Sequence, residues 1–244
     1  MLPEDAIPYC GPPPTPAGLA ASWNLDVWVL AFLAVVWAIH RLARNPERGA
    51  DRYAVAGVAV LALAFVTPLC ALSSALFSAR VTHHALLLVV AAPLLAAALP
   101  RLRRGLLAAT VIQALVIWFW HAPAPYAWAL AGDARYWLME ATLLGAAVAF
   151  WSAARAAHPL AAAGALLVSM MLTGLLGALI TFAAQPLYGP HLATTFAWGL
   201  DPLEDQQLAG LIMWAPMALA YLLPALARIG RWLGAAERRP EAAA

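Results

Sequence analysis

The sequence contains no lysine; all fourteen of its basic residues are arginine. Charge of either sign is scarce, at 11% of 244 residues, where a soluble domain carries roughly a quarter. With 64% hydrophobic residues, that shortage excludes an ordinary water-soluble globule and points to an integral membrane protein. Cysteine is also sparse. Cys10 and Cys70 form no CxxC and no zinc-type spacing; one disulfide is compatible with them, and the sequence leaves their pairing open. No glycine-rich phosphate loop, HExxH, CxxCH or local Ser–His–Asp signature is present, so the usual marks of nucleotide, zinc-peptidase, attached-haem and serine-hydrolase chemistry are missing. The arginines are dispersed in short loops, which argues against a nucleic-acid partner. The N-terminal MLPEDAIPYCGPPPTPAG lacks the basic region and apolar core of a signal peptide. Residues 1–22 therefore read as an exposed Pro-rich tail.

What is present is apolar chain in blocks. A bilayer core needs roughly 20 mostly apolar residues per helix. Seven blocks approach this: Trp23–Ile39, Tyr53–Leu72, Val81–Leu99, Leu106–Trp120, Tyr136–Ala154, Ala162–Phe182 and Gln207–Ile229. The expected fold class is an all-α integral membrane bundle of seven transmembrane helices over residues 23–232, with a C-terminal tail at 233–244. No internal repeat divides it.

The arginines alternate. Arg41, Arg44, Arg48 and Arg52 follow the first block, Arg101, Arg103 and Arg104 the third, and Arg155 the fifth. Arg228, Arg231, Arg238 and Arg239 close the chain. Twelve of fourteen thus fall on one side, leaving Arg80 and Arg135 on the other. By the positive-inside rule the N-terminus is outside and the C-terminus cytoplasmic. The outer side then holds Glu4, Asp5, Asp26, Asp133, Glu140, Asp201, Glu204 and Asp205, a field that attracts cations.

Histidine follows the acids. His83 and His84 open the third block, His121 closes the fourth, and His191 lies in the loop before the seventh; only His40 and His158 fall on the cytoplasmic side. Imidazole is the commonest side-chain metal ligand and suits copper, zinc and iron. Ionisable groups within membrane helices are costly and mark candidate sites. The expected metal-handling set is His83, His84 and His121, with Asp26, Glu140 and Asp205 as supporting carboxylates that orient imidazoles. Asp26 and Glu140 have a structural alternative, pairing with Arg80 or Arg135. Met213 and Met217 share a face of the last helix, but methionine at helical spacing is usually packing. Gly174, Gly177 and Gly210 permit close helix approach. Trp23, Trp28, Trp118, Trp120, Tyr126, Trp128, Tyr136, Trp137 and Trp198 read as an interfacial aromatic belt.

The stretch Leu200–Trp214, LDPLEDQQLAGLIMW, starts the last helix. Asp201 caps, Pro202 fits the first position and Glu204 completes a capping box. Asp205 and Gln206 exceed what a helix start needs.

Four segments carry a resemblance: SALFSARVTHHALLLVVAAPLL at Ser74–Leu95, IWFWHAPAPY at Ile117–Tyr126, LTGLLGALITFAAQPLY at Leu172–Tyr188, and Leu200–Trp214. In these the chain resembles the membrane-embedded cytochrome c oxidase assembly factors of the Caa3-type CtaG family. The resemblance implies a non-enzymatic, multi-pass protein of the bacterial cell inner membrane. It would mature haem–copper cytochrome c oxidase by handling or inserting copper at the periplasmic face. Its implied partners are oxidase subunits, membrane lipid and periplasmic copper chaperones, and its implied cargo is transient copper. Where that family commonly carries histidines near the start of the fifth helix, this chain reads Ala134-Arg-Tyr-Trp-Leu-Met-Glu140; either Met139 or Glu140 substitutes there, or the site of this chain is weaker or different. Three alternatives remain at this point: a haem-binding membrane electron carrier using two imidazoles, a copper or cation transporter, and a purely structural partner that holds oxidase subunits with no metal.

Overall fold

Prolines punctuate the chain where its helices begin. Pro68, Pro123, Pro159, Pro202 and Pro216 each stand at a helix's first residue, the position that does not need the missing N–H. The computed structural model describes residues 8–43, 45–47, 49–101 and 105–237, without the side chains of 236 and 237. Over these residues the protein is helical, with no strand. The helices are α1 (Val27–Ala43), α2 (Ala50–Phe65), α3 (Pro68–Ala75), α4 (Phe77–Ala98), α5 (Leu106–His121), α6 (Pro123–Leu130), α7 (Asp133–Ala156), α8 (Pro159–Thr181), α9 (Pro202–Trp214) and α10 (Pro216–Glu237).

Four stretches are long and apolar enough to cross a membrane: α4, α7, α8 and the run Pro202–Ala235 of α9 and α10. The pairs α2/α3 and α5/α6 bend by 46° and 75° and qualify only if each pair is one span, which brings the number to six. The first expected span falls short of a full crossing: α1 has 17 residues, about 25 Å of helix against roughly 30 Å of hydrocarbon. The two bends are written in the sequence as Thr67-Pro68 and Ala122-Pro123. Thr67 caps the restart at α3 by accepting from the Leu69 N–H at 3.3 Å.

The third expected span is longer than the sequence indicated, starting at Phe77 and not Val81. It carries a π-helical turn at Leu86–Ala91. Pro93 follows after Ala92. Its ring crowds the carbonyl one turn back, and the wider turn absorbs that crowding.

Helices α8 and α9 approach backbone to backbone. A Cβ on Gly177 would lie 2.8 Å from the Gly210 carbonyl oxygen, and one on Gly210 would lie 2.6 Å from the Gly177 carbonyl oxygen. Only glycine lets these backbones touch. Met213 of α9 is buried beside this contact, and Met217, expected to share its helix face, is buried in the first turn of α10 beyond the break at Ala215.

The two ends of the bundle are chemically distinct. At one, Glu47 accepts from Arg101 Nε and Arg155 Nη2, both at 2.9 Å. His40 Nε2 lies 2.7 Å from Asp51 Oδ1, and Arg228 donates to the Ala154 carbonyl at 2.8 Å. Loops expected to share a side therefore meet. Hydrogen bonding to Arg101, then the charge of Arg155, holds the Glu47 carboxyl below its usual range. Arg44, Arg48, Arg103, Arg104, Arg238, Arg239, Glu4, Asp5 and Glu241, all used in the charge sorting, lie outside the described residues, as does the side chain of Glu237.

At the opposite end the tail is mostly exposed but tied down. Cys10 is disulfide-bonded to Cys70, with Cα atoms 5.2 Å apart. Tyr9 donates to Asp26 Oδ2 at 2.6 Å, and Trp198 Nε1 donates to the Pro14 carbonyl at 3.1 Å. Residues 1–7 of that tail lie outside the described residues.

Candidate functional site

Four of the six candidate residues converge inside the bundle. His83 and His84 come from α4, His121 is the last residue of α5, and Glu140 lies two turns into α7. His84 Nε2 is 3.3 Å from Glu140 Oε1, and His84 Nδ1 is 3.3 Å from His121 Nε2. His83 Nε2 stands 3.7 Å from Glu140 Oε2. Arg80 joins them, its Nη1 3.3 Å from Glu140 Oε1 and its guanidinium 5.2 Å from the centre of the Tyr136 ring. Every one of these side chains is at most 2% exposed.

Local sequence explains the convergence. Arg80, His83 and His84 sit at i, i+3 and i+4, one face of α4. Tyr136 and Glu140 sit at i and i+4 on α7. The histidines do not open their helix, as their place at the head of the third apolar block suggested. With α4 starting at Phe77, His84 lies about 10 Å along it.

The hydrogen bonds assign part of the proton inventory. His121 Nδ1 contacts the Ile117 carbonyl at 2.8 Å, so that nitrogen carries a proton and donates. Its Nε2 then accepts from His84 Nδ1–H. The remaining His84 nitrogen faces a carboxylate oxygen, and a hydrogen bond there needs a second proton on the ring. His83 is different. Among the described residues neither of its ring nitrogens has a hydrogen-bond partner, and neither does Glu140 Oε2. Buried polar atoms left this way are rare and costly. No three His, Cys, Asp or Glu side chains among the described residues form a ready-made metal cage. The arrangement is a hydrogen-bonded cluster with unused donor atoms facing one another.

Asp205 and Asp26 are occupied elsewhere, a correction to the expected set. Asp205 accepts from the Phe77 N–H at 2.6 Å, the Ser78 N–H at 3.1 Å and the Ser78 hydroxyl, capping α4 from another helix. Asp26 accepts from Tyr9 and from the Trp28 N–H at 3.2 Å. Gln206, the other unexplained residue, accepts from the Leu187 N–H at 2.6 Å and donates to the Ile180 and Gln185 carbonyls. It pins the loop between α8 and α9. Of the two options considered for Glu140, the Arg80 pairing is realised alongside the histidine contacts.

Several site residues were missed. Tyr126 and Tyr136 are fully buried and not part of an interfacial belt. Tyr126 OH is 2.7 Å from His191 Nε2, and Tyr188 donates to the His121 carbonyl at 2.7 Å, satisfying a group freed where α5 breaks. His191 lies in the loop, outside the spanning helices; burial, reinforced by the Arg80 charge, pushes its pKa down to about 3. Arg80 was legible in principle, as an arginine one turn before a histidine pair within an apolar block.

This is a polytopic helical protein, compatible with a multi-pass membrane location, built around a buried histidine–carboxylate–arginine cluster. The chain matches the family described as cytochrome c oxidase caa3 assembly factor (Caa3_CtaG) over residues 30–110 and 106–235, and it belongs to that family. No curated protein and no solved structure matches it.

Proposed function

We propose that this protein assists assembly of haem–copper cytochrome c oxidase by holding copper transiently at the His83–His84–His121–Glu140 cluster. It does so as a non-enzymatic factor of the bacterial inner membrane. In this reading α1, α2/α3, α4, α5/α6, α7, α8 and α9/α10 are seven spans. The disulfide end faces the periplasm and the arginine-rich end the cytoplasm. Oxidase subunits receive the ion, periplasmic copper chaperones supply it, and lipid surrounds the bundle.

One observation carries the reading. Three imidazoles and a carboxylate from three helices meet in a buried interior, and among the described residues neither ring nitrogen of His83 has a hydrogen-bond partner. Imidazole nitrogen is a suitable copper ligand. An ion seated by small side-chain rotations would satisfy those atoms, and an incomplete cage suits a cargo that must leave. The haem alternative is disfavoured by the 3.3 Å contact between His84 and His121, which leaves no room for a porphyrin between the two rings.

The test is copper content of purified wild type against His83→Ala/His121→Ala, read beside oxidase activity in membranes of a deletion strain with and without added copper. The reading requires copper in wild type only, and oxidase activity lost on deletion and restored in part by copper. Equal copper in both proteins would remove the site assignment.

A further inference from the structure

The N-terminal tail roofs the buried cluster. Tyr9 stacks on Tyr136 with ring centres 4.9 Å apart and meets Trp137 edge-on at 5.2 Å. Tyr136 carries the Arg80 guanidinium on its ring. Trp137 stacks on Phe65, whose ring meets that of His83 at 4.7 Å. Tyr9 and Cys10 are thus the outermost layer over Arg80 and His83. Among the described residues, backbone-to-backbone hydrogen bonds from Gly11 to Trp23 stay within the tail. The next, from the Asn24 N–H to the Val66 carbonyl at 2.9 Å, reaches the bundle. The covalent tie of the tail is the Cys10–Cys70 bond. Its hydrogen bonds from Tyr9 to Asp26 and from Trp198 to Pro14, and its ring contacts, are individually weak.

Both sulfurs have hydrogen-bond donors beside them. The Tyr136 hydroxyl lies 3.4 Å from Cys10 Sγ, and Asn24 Nδ2 donates to Cys70 Sγ at 3.7 Å. A disulfide sulfur carries no proton, so the tyrosine donates. Cys70 is fully buried, whereas Cys10 borders a cleft of about 270 Å³ lined also by Gly11, Pro12, Trp23, Asn24 and Ala71. From this placement we infer that the Cys10–Cys70 bond is a thiol–disulfide exchange site for a protein dithiol, and that its reduction lifts the tail from the cluster. The inference concerns access to the cluster and stands whether or not copper binds there. A thiolate of the partner enters through the cleft and attacks Cys10 Sγ. The Cys10–Cys70 bond breaks, its electron pair leaves on Cys70, and a partner–Cys10 disulfide forms. The second thiolate of the partner then attacks the partner's own sulfur in that bond, and Cys10 leaves with the electron pair. The partner ends as a disulfide and its two protons pass to Cys10 and Cys70, so two electrons and two protons have moved. Asn24 and Tyr136 donate to the departing thiolates, and a stabilised thiolate leaves faster. Once Cys10 is free, Tyr9 can leave Tyr136 and Trp137, which opens the side on which His83 has two unpartnered ring nitrogens among the described residues.

Full-length protein in detergent would be held in glutathione redox buffers, quenched with acid, alkylated and mapped by mass. The bond should open without denaturant, with glutathione trapped on Cys10 and not on Cys70. Diethyl pyrocarbonate, which acylates neutral imidazole, would then read access to the cluster residue by residue. Reduction should raise the rate at His83 severalfold, and reoxidation should restore the slow rate. His84 and His121, whose ring nitrogens are hydrogen-bonded, should stay slow in both states. Cys10→Ser/Cys70→Ser should show the fast His83 rate at every glutathione ratio. A bond that opens only in denaturant, or glutathione found on Cys70, overturns the exchange site. A His83 rate that ignores reduction overturns the release of the tail. So do three histidines that all turn fast together, because the bundle and not its roof has then opened. Neither readout involves a metal, so a protein that binds no copper fails the copper reading alone.

Discussion

Asp205, in the first turn of α9, closes the N-terminus of α4 by accepting the Phe77 N–H at 2.6 Å and the Ser78 N–H at 3.1 Å. A carboxylate here satisfies backbone donors that have no partner within their own helix, and it complements the helix dipole. The contact sets where α4 begins, and so the register that carries Arg80, His83 and His84 inward. Asp205→Ala should cost about 1–3 kcal/mol, since it strips a buried cap. Thermal unfolding in detergent measures this. Asp205→Asn should recover part of the loss, because an amide oxygen still accepts.

Glu140 is the hub of the cluster. Glu140→Ala leaves Arg80 buried without its counter-charge. Breaking one partner of a buried pair typically costs about 3–5 kcal/mol, so the variant should be poorly expressed or unfold early. A companion Arg80→Met/Glu140→Met protein should be more stable than Glu140→Ala alone. If the single variant is as stable as wild type, the buried pairing is wrong.

The α8–α9 contact predicts a contrast among glycines. Gly210→Ala would drive a methyl into the Gly177 carbonyl and Thr181 and should cost roughly 1–3 kcal/mol. Gly145→Ala has open space around its Cβ position and should be neutral or slightly stabilising, since alanine favours helix. Unfolding midpoints of the pair, side by side, give the answer.

His191 predicts a pH dependence. Its pKa of about 3 lies below its ordinary value of 6.5, so the unfolded chain binds its proton first as pH falls. The stability it contributes is full above about pH 6.5 and is lost progressively toward pH 3. Tyr126 and Arg80 face it and offer no acid to rescue the imidazolium. Unfolding midpoints between pH 7 and 4 should fall less steeply in His191→Gln than in wild type.

The Cys10–Cys70 bond joins residues 60 apart. Loop-closure entropy for that length is worth up to about 4 kcal/mol. Cys10→Ser should lower thermal stability and make the tail near Tyr9 cleavable by protease, while a reducing agent should do the same to wild type and nothing further to the variant.

Much of the bundle was legible from the chain. Apolar run lengths located most of its helices, but the break at Thr67-Pro68 falls inside a run expected to be one span, Tyr53–Leu72, and the short helix after Ala122-Pro123 was not expected. The box at Asp201 and Glu204 formed as its spacing indicated, with Asp201 accepting from the Leu203 and Glu204 N–H groups at 2.8 Å. These features are decided within a few residues of chain, by backbone hydrogen bonding and side-chain period. His83, His84, His121 and Glu140 could be nominated together because alternation of spans puts their helix ends on one side.

Partner choice was decided only in three dimensions. Asp205 and Glu140 are both acids near the start of a helix, yet one caps α4 and the other meets three histidines and an arginine. Tyr126 and Tyr136 have belt-like positions in sequence but face the interior. Cys10 meets Cys70 because the tail folds back over α3. Burial makes each of these polar groups find a partner, and the candidates come from segments tens of residues away. The sequence by itself determined most of the helical runs and which polar groups lie within or beside them. The packing of α4 against α5, α7 and α9 decided which of those groups meet, because only tertiary contact brings donors and acceptors on separate helices within bonding distance.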